Sequence, residues 1–178
     1  MNLSLVPHPA NPSDAITDVL VTADRDRFGI NCSFRAVGRR DEVRWPPELP
    51  KGFSDELWKH TCFEAFAGIP GHESYVEINL SPSRRWATYY FDGYRSGMRR
   101  AGGSPHWYFL TYQSITTVMA GFSLPELDPA LEWEVGLSAV IETLDGSRNY
   151  FALAHPPGNP DFHNRDCFTL RLPPPPRV

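Results

Sequence analysis

The sequence has few cysteines, and their spacing fits neither a disulfide framework nor a metal site. Cys32, Cys62 and Cys167 are odd in number and far apart, and no C-x-x-C motif is present. We therefore expect three free thiols and a reducing compartment, so the predicted location is the cytoplasm. The first residues, MNLSLVPHPANP, contain no basic segment followed by a long apolar run, and so no secretory signal is visible.

The sequence also lacks an excess of positive charge and any long apolar run. The net charge is −4, which argues against a nucleic-acid-binding surface, and no segment is apolar enough to span a membrane. Several arginines do cluster locally, but a solvated loop explains such a cluster on an acidic protein. They are Arg84, Arg85, Arg95, Arg99 and Arg100. The 178 residues are predicted to form a single domain, residues 1–178, in which residues 173–178 are a proline-rich tail.

A period of two dominates the hydrophobic pattern. In LEWEVGLSAVIET, an apolar set that runs from Leu131 to Ile141 alternates with a set that includes Glu132, Glu134 and Glu142. This alternation predicts a strand with one buried face and one face in water. Eight to ten such strands, with regular turns and no sustained helical period, predict an all-β fold of the antiparallel sandwich type.

Most predicted strands form hairpins. ITDVLVTAD pairs with FGINCSFRAV, CFEAFAGI with SYVEINLSP, and LEWEVGLSAVIET with YFALAH. RWATYYF and CFTLRL are further strands, and HWYFLTYQSITTVMAGFSL is predicted to hold one strand followed by a turn or a short helical piece. Two long loops, Arg44–Glu56 and Asp92–Pro105, are rich in proline or in glycine and are expected to be functional or mobile.

The segment LWKHTCFEAF carries the first candidate site. Strand alternation places Glu64 and Phe63 on different faces of one strand. In YVEINLS it places Tyr75, Glu77 and Asn79 on the same face. If the two strands pair, these polar groups share one sheet surface. Carboxylates and amides bind sugar hydroxyls, and aromatic rings stack on sugar C–H faces. The alternative interpretation is an ordinary solvent-exposed sheet face, which is usually polar.

A second candidate site lies in the segment Leu153–Phe168, LAHPPGNPDFHNRDCF. This loop between two predicted strands concentrates histidine, aspartate, asparagine and arginine, and binding residues are often found on loops held by a rigid scaffold. The alternative is that Asn and Asp only form turns here, and that His163 hydrogen-bonds a loop carbonyl.

Signals of catalysis are weak. No GxSxG, HExxH or glycine-rich phosphate loop is present. Glu64 and Glu77 could form the carboxylate pair of a hydrolase, but two glutamates on neighbouring strands are not a specific signal. We therefore expect a binding protein that is not an enzyme.

Three segments together resemble a known family: LWKHTCFEAFAG, SYVEINLSPSRRWATYYFDGYRSGM and YFALAHPPGNPDFHNRDCFTLRL. They are similar to the bacterial DOMON-like proteins, a branch of the DOMON superfamily that is related to family-9 carbohydrate-binding modules. The resemblance covers residues 55–172. It implies an immunoglobulin-like β-sandwich that binds either a sugar or haem.

The resemblance also implies a set of ligand-binding residues. Trp58, Glu64 and Arg85 stand where the sugar-binding modules have a tryptophan, a glutamate and an arginine. The last loop lacks the second aromatic platform of the modules, a tryptophan, so Phe162 or His163 would have to lie opposite Trp58. The asparagine of the modules has a counterpart in the same loop. The predicted ligand-binding residues are Trp58, Glu64, Arg85, Phe162, His163 and Asn164, and the expected ligand is a sugar or a similar small polar molecule.

Two other functions stay open. Haem-binding members of the superfamily use a methionine and a histidine, although no cofactor is the first expectation here and Met119, in an apolar run, is predicted to be a core residue. The residues available are Met98 and Met119 with His60, His106, His155 and His163. The other alternative is a protein–protein interaction module that uses exposed aromatics and the arginine-rich loop. A structural calcium ion is compatible with such a sandwich, but the sequence identifies no ligands for it.

Overall fold

The computed structural model describes residues 2–111 and 116–176, and for residues 106–111 it describes the backbone alone. Within these ranges the chain forms thirteen strands and three short 3₁₀ turns, at Arg40–Glu42, Leu57–Lys59 and Arg165–Cys167. The predicted all-β class is confirmed. None of the turns in the described ranges has the length and apolar character of a membrane-spanning helix.

One layer, the back sheet, contains the strands β2 (Ile16–Asp26), β3 (Gly29–Gly38), β9 (Pro105–Thr111) and β10 (Thr116–Phe122), in the order β2-β3-β10-β9. The predicted hairpin near the N-terminus is β2 and β3. The segment that was expected to hold one strand holds two, because β9 and β10 pair with each other in antiparallel fashion. The turn or short helical piece that was expected after the first strand falls on residues 112–115, which lie outside the described residues.

The other layer, the front sheet, is larger and positions the site. Its main strands follow the order β4-β7-β6-β5-β11-β12, with β13 paired to β11 and β8 paired to β7. Their bounds are β4 Gly52–Phe53, β5 Cys62–Gly68, β6 Tyr75–Leu80, β7 Arg85–Phe91, β8 Arg99–Arg100, β11 Trp133–Glu142, β12 Arg148–Ala152 and β13 Leu170–Leu172. The short edge strand β4 runs parallel to β7, and β5, β6, β7, β11 and β12 pair in antiparallel fashion.

A strand that the sequence pattern did not indicate connects the two layers. In β1 (Leu3–Pro7), the first three residues pair with β2 and the last two with β12, so the layers form one curled sheet. Apolar side chains fill the space between the layers. The ring of Phe34 lies 5.4 Å from that of Phe63, and the ring of Trp86 lies 5.9 Å from that of Phe122. These contacts place the main core between the front and back sheets.

The front sheet is buried on its outer face as well. The expectation that one face of β11 lies in water is wrong, because all ten of its residues are buried. Glu134 on the outer face contacts Arg165 and lies 2.7 Å from the guanidinium of Arg171. Glu142 lies 3.2 Å from the guanidinium of Arg44. Earlier and later segments of the chain therefore cover the face that alternation alone assigns to solvent.

Candidate functional site

The outer face of β5 and β6 carries a polar surface, here called the pocket face: Glu64, Phe66, Tyr75, Glu77 and Asn79. The two strands pair as predicted, with Glu64 opposite Asn79 and Phe66 opposite Glu77. Alternation sends the side chains of the opposite face into the main core: Phe63, Ala65, Ala67, Val76, Ile78 and Leu80. The interpretation as an exposed sheet face is wrong, since Glu64 is 2% exposed and Glu77 is 4% exposed.

Three segments cover the pocket face: the turn at Leu57–Lys59, the loop of residues 92–98 and the C-terminal loop, residues 153–169. Together with the sheet they border a cavity of about 400 Å³ that is open to solvent on one side. Five aromatic side chains form part of its walls, and two carboxylates lie on its floor. The aromatic residues that line it are Trp58, Phe66, Phe91, Tyr150 and Phe162, and the carboxylates are Glu64 and Glu77.

The turn that presents Trp58 is fixed from both sides. Glu56, just before the turn, has a φ of 62°, a left-handed conformation that lets the chain change direction sharply. The hydroxyl of Tyr89 donates to Asp55 at 2.7 Å, and the ring of Tyr89 packs edge-on against Trp58 with 5.6 Å between centroids. These contacts hold the indole at the edge of the cavity.

The carboxylates on the floor are each held by one hydrogen bond. Oε2 of Glu64 accepts from the Ser138 hydroxyl at 3.1 Å, and Oε1 of Glu77 accepts from the Asn79 amide at 2.7 Å. Desolvation, together with the charge of Glu77, raises the pKa of Glu64 to about 8. Desolvation also raises the pKa of Glu77, to about 7, against the opposing effects of Asn79 and Arg95. Both groups are therefore partly protonated near neutral pH when no ligand is bound.

His163 enters the cavity from the C-terminal loop. Its Nδ1 lies 2.7 Å from the Tyr75 hydroxyl, and its ring packs edge-on against Phe66 and Phe91. Desolvation, with a smaller contribution from Arg95, lowers the pKa of His163 to about 4, so the ring is neutral at physiological pH. Nε2 is 3.9 Å from the carboxylate of Glu77, which is too far for a hydrogen bond.

Arg95 lines the cavity and ties two covering segments together. Its guanidinium donates to Asp161 of the C-terminal loop at 2.9 Å, and its backbone N–H donates to the Tyr75 hydroxyl at 3.2 Å. The hydroxyl of Tyr94 donates to the other oxygen of Asp161 at 2.9 Å. The residue has a φ of 50°, so the loop reverses here. The two loops are therefore positioned as one unit above the sheet.

Four of the six predicted site residues line this cavity: Trp58, Glu64, Phe162 and His163. They come from segments about 100 residues apart, and their role in binding stays a prediction. Arg85 and Asn164 are not among the lining residues. The guanidinium of Arg85 fills the space beside Gly52 at the sheet edge. The side chain of Asn164 accepts from the backbone N–H of Asp166 at 2.9 Å and so caps the last 3₁₀ turn.

The list of six predicted ligand-binding residues leaves out several residues that line the cavity. Strand alternation placed Glu77 beside Glu64 in the first candidate site, but Glu77 was not carried into that list. Tyr150 could have been found from the predicted hairpin, because β12 lies beside β11. No local signal identifies Arg95, since its place depends on an ion pair with Asp161, 66 residues later.

Two of the six candidate haem ligands lie at the cavity. Met98 and His163 both line the cavity. Met119 is only half-buried, on the face of β10 opposite Val118, so its prediction as a core residue is not confirmed. His60 and His155 bond elsewhere, to Glu142 and to the Val6 carbonyl, and the side chain of His106 lies outside the described residues. In the described part of the chain, no group of three or more His, Cys, Asp or Glu side chains is arranged to hold a metal ion.

Comparison with known proteins identifies a solved structure with a similar fold. The chain is similar to a solved structure of a proposed carbohydrate-binding protein from Bacteroides uniformis ATCC 8492, with a TM-score of 0.70 over 97% of this chain and 85% of that chain. The sequences are 14% identical, so the likeness concerns the fold. No protein-family model matches the chain, and no curated protein matches it. The chain thus has an all-β fold of a kind found in a proposed carbohydrate-binding protein.

Proposed function

We propose that this protein is a non-catalytic carbohydrate-binding domain whose ligand occupies the cavity on the pocket face. The observation that carries the proposal is that two buried carboxylates and several aromatic rings line one cavity of about 400 Å³. This volume falls within the range of small-molecule sites, about 300–1,000 Å³. The fold shared with a proposed carbohydrate-binding protein supports the same conclusion.

In the proposed binding mode, aromatic rings stack on the sugar and polar groups form hydrogen bonds with it. Trp58 is half-buried at the cavity edge and offers its indole face to the C–H groups of a sugar ring, with Phe162 as the second apolar surface. Oε1 of Glu64 and Oε2 of Glu77 accept hydrogen bonds from hydroxyls, and the guanidinium of Arg95 donates to a ring substituent at the mouth. We also propose that the fold is of the DOMON and family-9 module type, as the sequence resemblance implies.

Isothermal titration calorimetry with a panel of mono- and disaccharides tests the proposal. We expect at least one sugar to bind the wild-type protein, and Trp58→Ala to weaken that binding at least about tenfold, or ~1.4 kcal/mol. Phe28→Ala is the matched control, because Phe28 is an aromatic residue that is 59% exposed in the turn between β2 and β3, on the back sheet. The absence of binding across the panel, or equal losses in the two variants, would contradict the proposal.

The buried carboxylate pair favours one rival function, that of a glycosidase. Such enzymes use two carboxyl groups, one of them an acid with a raised pKa. The pocket face carries two such groups, but each is hydrogen-bonded to a neighbouring side chain, to Ser138 and Asn79. Incubating the protein with any sugar polymer or aryl glycoside that it binds, followed by product analysis, separates the two functions. We expect no turnover, and a hydrolytic rate that is lost in Glu64→Gln would establish the rival.

The cavity does not fit haem well, although Met98 and His163 both line it. Nδ1 of His163 bonds to Tyr75, and its Nε2 faces the carboxylate of Glu77. An apolar porphyrin would cover two buried carboxylates and leave their free oxygens without donors, which is costly. A purified protein that stays colourless and ignores added haemin is the expected result. A Soret band that is lost in Met98→Ala would overturn it.

A further inference from the structure

Two carboxyl groups on the cavity floor lack a full set of hydrogen-bond partners. Glu64 and Glu77 each use one carboxylate oxygen in a hydrogen bond with a side chain. No hydrogen bond from the described part of the chain reaches Oε1 of Glu64 or Oε2 of Glu77. Both side chains are at least nine-tenths buried and line the cavity. The free oxygens of two buried carboxylates therefore face the place where a ligand would lie.

The cations around the cavity are engaged elsewhere. Nζ of Lys59 lies 2.7 Å from Glu56, and the guanidinium of Arg95 lies 2.9 Å from Asp161. The side chain of Arg148 is exposed at the rim, where water and salt screen its charge. His163 is neutral, as described above. Burying a carboxylate without a cation is unfavourable. Glu64 and Glu77 therefore each either take up a proton or need a positive charge from a ligand.

We propose that the cavity selects a sugar that carries a protonated amino group, and that this ammonium binds between Glu64 and Glu77. The inference rests on the proposed function and narrows its ligand to the class of amino sugars that are not acetylated. An ammonium group has three N–H donors, enough to reach both free carboxylate oxygens. The aromatic walls favour the same charge, since a cation close to a ring face is attracted by its π electrons.

A neutral hydroxyl at the same place cannot replace the ammonium. It donates one hydrogen bond and leaves the second carboxylate to hold a proton. An N-acetyl group also loses the charge, and its methyl group would lie against the carboxylates. The amine is therefore preferred because it satisfies both oxygens and balances the charge of the pair.

Three sugars that differ at one carbon test the inference: glucose, glucosamine and N-acetylglucosamine. Galactose and galactosamine repeat the comparison with a second ring stereochemistry. In calorimetry at pH 7, we expect the amine to bind at least about tenfold more tightly than its neutral partners in one or both series. Binding of the amine at pH 6 should also release protons, measured as a dependence of the apparent enthalpy on the ionisation enthalpy of the buffer.

Substitutions test whether Glu64 and Glu77 cause the preference for the amino sugar. Glu64→Gln and Glu77→Gln keep the shape of the floor and remove the charge, so each should reduce the preference for the amine to about twofold or less while neutral sugars still bind. Glu48→Gln, which removes an exposed carboxylate that pairs with Arg84, is the control for net charge and should leave the preference unchanged. The comparison of sugars on the wild-type protein holds even if a variant fails to fold.

The outcomes separate the inference from the function on which it rests. If neutral sugars bind as tightly as their amines, or if amine binding releases no protons, the inference is overturned and the carbohydrate-binding function stands. If no sugar of either kind binds, the proposed function is overturned, and the inference with it.

Discussion

The hydroxyl of Tyr75 lies 2.7 Å from Nδ1 of His163, so a strand residue of the sheet floor holds a residue of the C-terminal loop in place. The same oxygen accepts from the backbone N–H of Arg95 at 3.2 Å. One buried hydroxyl thus joins β6 to both loops that border the cavity. The tyrosine ring is itself fixed, since it stacks on Phe91 with 4.8 Å between centroids and an angle of 8°.

Replacing this tyrosine tests whether its hydroxyl organises the site. Tyr75→Phe keeps the ring and removes the two hydrogen bonds, so we expect a loss of about 1–3 kcal/mol in the free energy of unfolding. We also expect sugar affinity to fall several-fold, because His163 and Arg95 lose their common partner. Tyr90→Phe is the control, since that half-buried ring packs towards the main core on the other face of the sheet. Equal effects of the two substitutions would contradict an organising role.

The alternation of polar and apolar residues predicted most of the longer strands and the two faces of β5 and β6. It predicted the β5–β6 pair and the shared surface of Glu64 and Glu77. It did not predict that this surface is buried, because a period of two looks the same whether water or a loop covers the polar face. The covering loops depend on contacts such as that between Arg165 and Glu134, which join distant parts of the chain and leave no local pattern.

The predicted site residues also fall into two groups, those that the structure brings to the cavity and those that it places elsewhere. Trp58 and His163 were predicted from the family resemblance, and the structure brings both to one cavity. Arg85 and Asn164 were predicted on the same basis but support the sheet edge and a turn. A motif match fixes where a residue stands in the chain, whereas the direction of its side chain depends on local partners, such as Gly52 beside Arg85.

The buried carboxylates should make stability depend on pH. The pKa of Glu64 rises from 4.5 to about 8 on folding, and that of Glu77 from 4.5 to about 7. Between these limits the folded state binds more protons than the unfolded state, so the free energy of unfolding falls as the pH rises. His163 acts in the opposite direction between pH 4 and 6.5, because its pKa is lower in the folded state. The other titratable or charged groups that influence the pair are Cys62, Tyr75, Tyr89 and Arg95.

A double variant isolates this contribution. In a protein that carries both Glu64→Gln and Glu77→Gln, the fall between pH 5 and pH 8 should be smaller than in the wild type, by on the order of 6 kcal/mol. Urea unfolding followed by fluorescence at several pH values gives the difference directly, and the contribution of His163 largely cancels in it. Glu48→Gln serves again as the control. Parallel curves for wild type and double variant would show that the carboxylates ionise as freely in the folded state as in the unfolded one.

The C-terminal loop should depend on one arginine. The guanidinium of Arg165 contacts Glu134, donates to the Ile69 carbonyl at 3.1 Å and lies over Gly68. Arg165→Met keeps much of the aliphatic length and removes these bonds, so we expect a loss of about 2 kcal/mol in the free energy of unfolding.

The same substitution should weaken sugar binding several-fold, because Phe162 and His163 are carried by the loop that Arg165 anchors. Arg35→Met is the control, since Arg35 is exposed on β3 in the back sheet. Urea unfolding and calorimetry measure the two effects. Unchanged affinity in a clearly destabilised Arg165→Met protein would show that the loop keeps its position without this anchor.

The three cysteines should be unreactive in the folded protein. All are buried, and burial raises the thiol pKa to about 12 for Cys32 and Cys167 and well above its ordinary value for Cys62. Thiol reagents attack the thiolate, so labelling requires that the structure first opens.

Cys167 belongs to the C-terminal loop, and local opening of that loop exposes it sooner than unfolding of β3 or β5 exposes the other two. With a dithiobis-nitrobenzoate reagent at pH 8, we therefore expect slow labelling of Cys167 first and of all three thiols in denaturant. A bound sugar should slow the Cys167 reaction, because the ligand contacts the same loop through Phe162. Rapid labelling of Cys62 in the native protein would mean that the floor of the cavity opens to solvent, and the buried carboxylates beside it would then titrate at ordinary values.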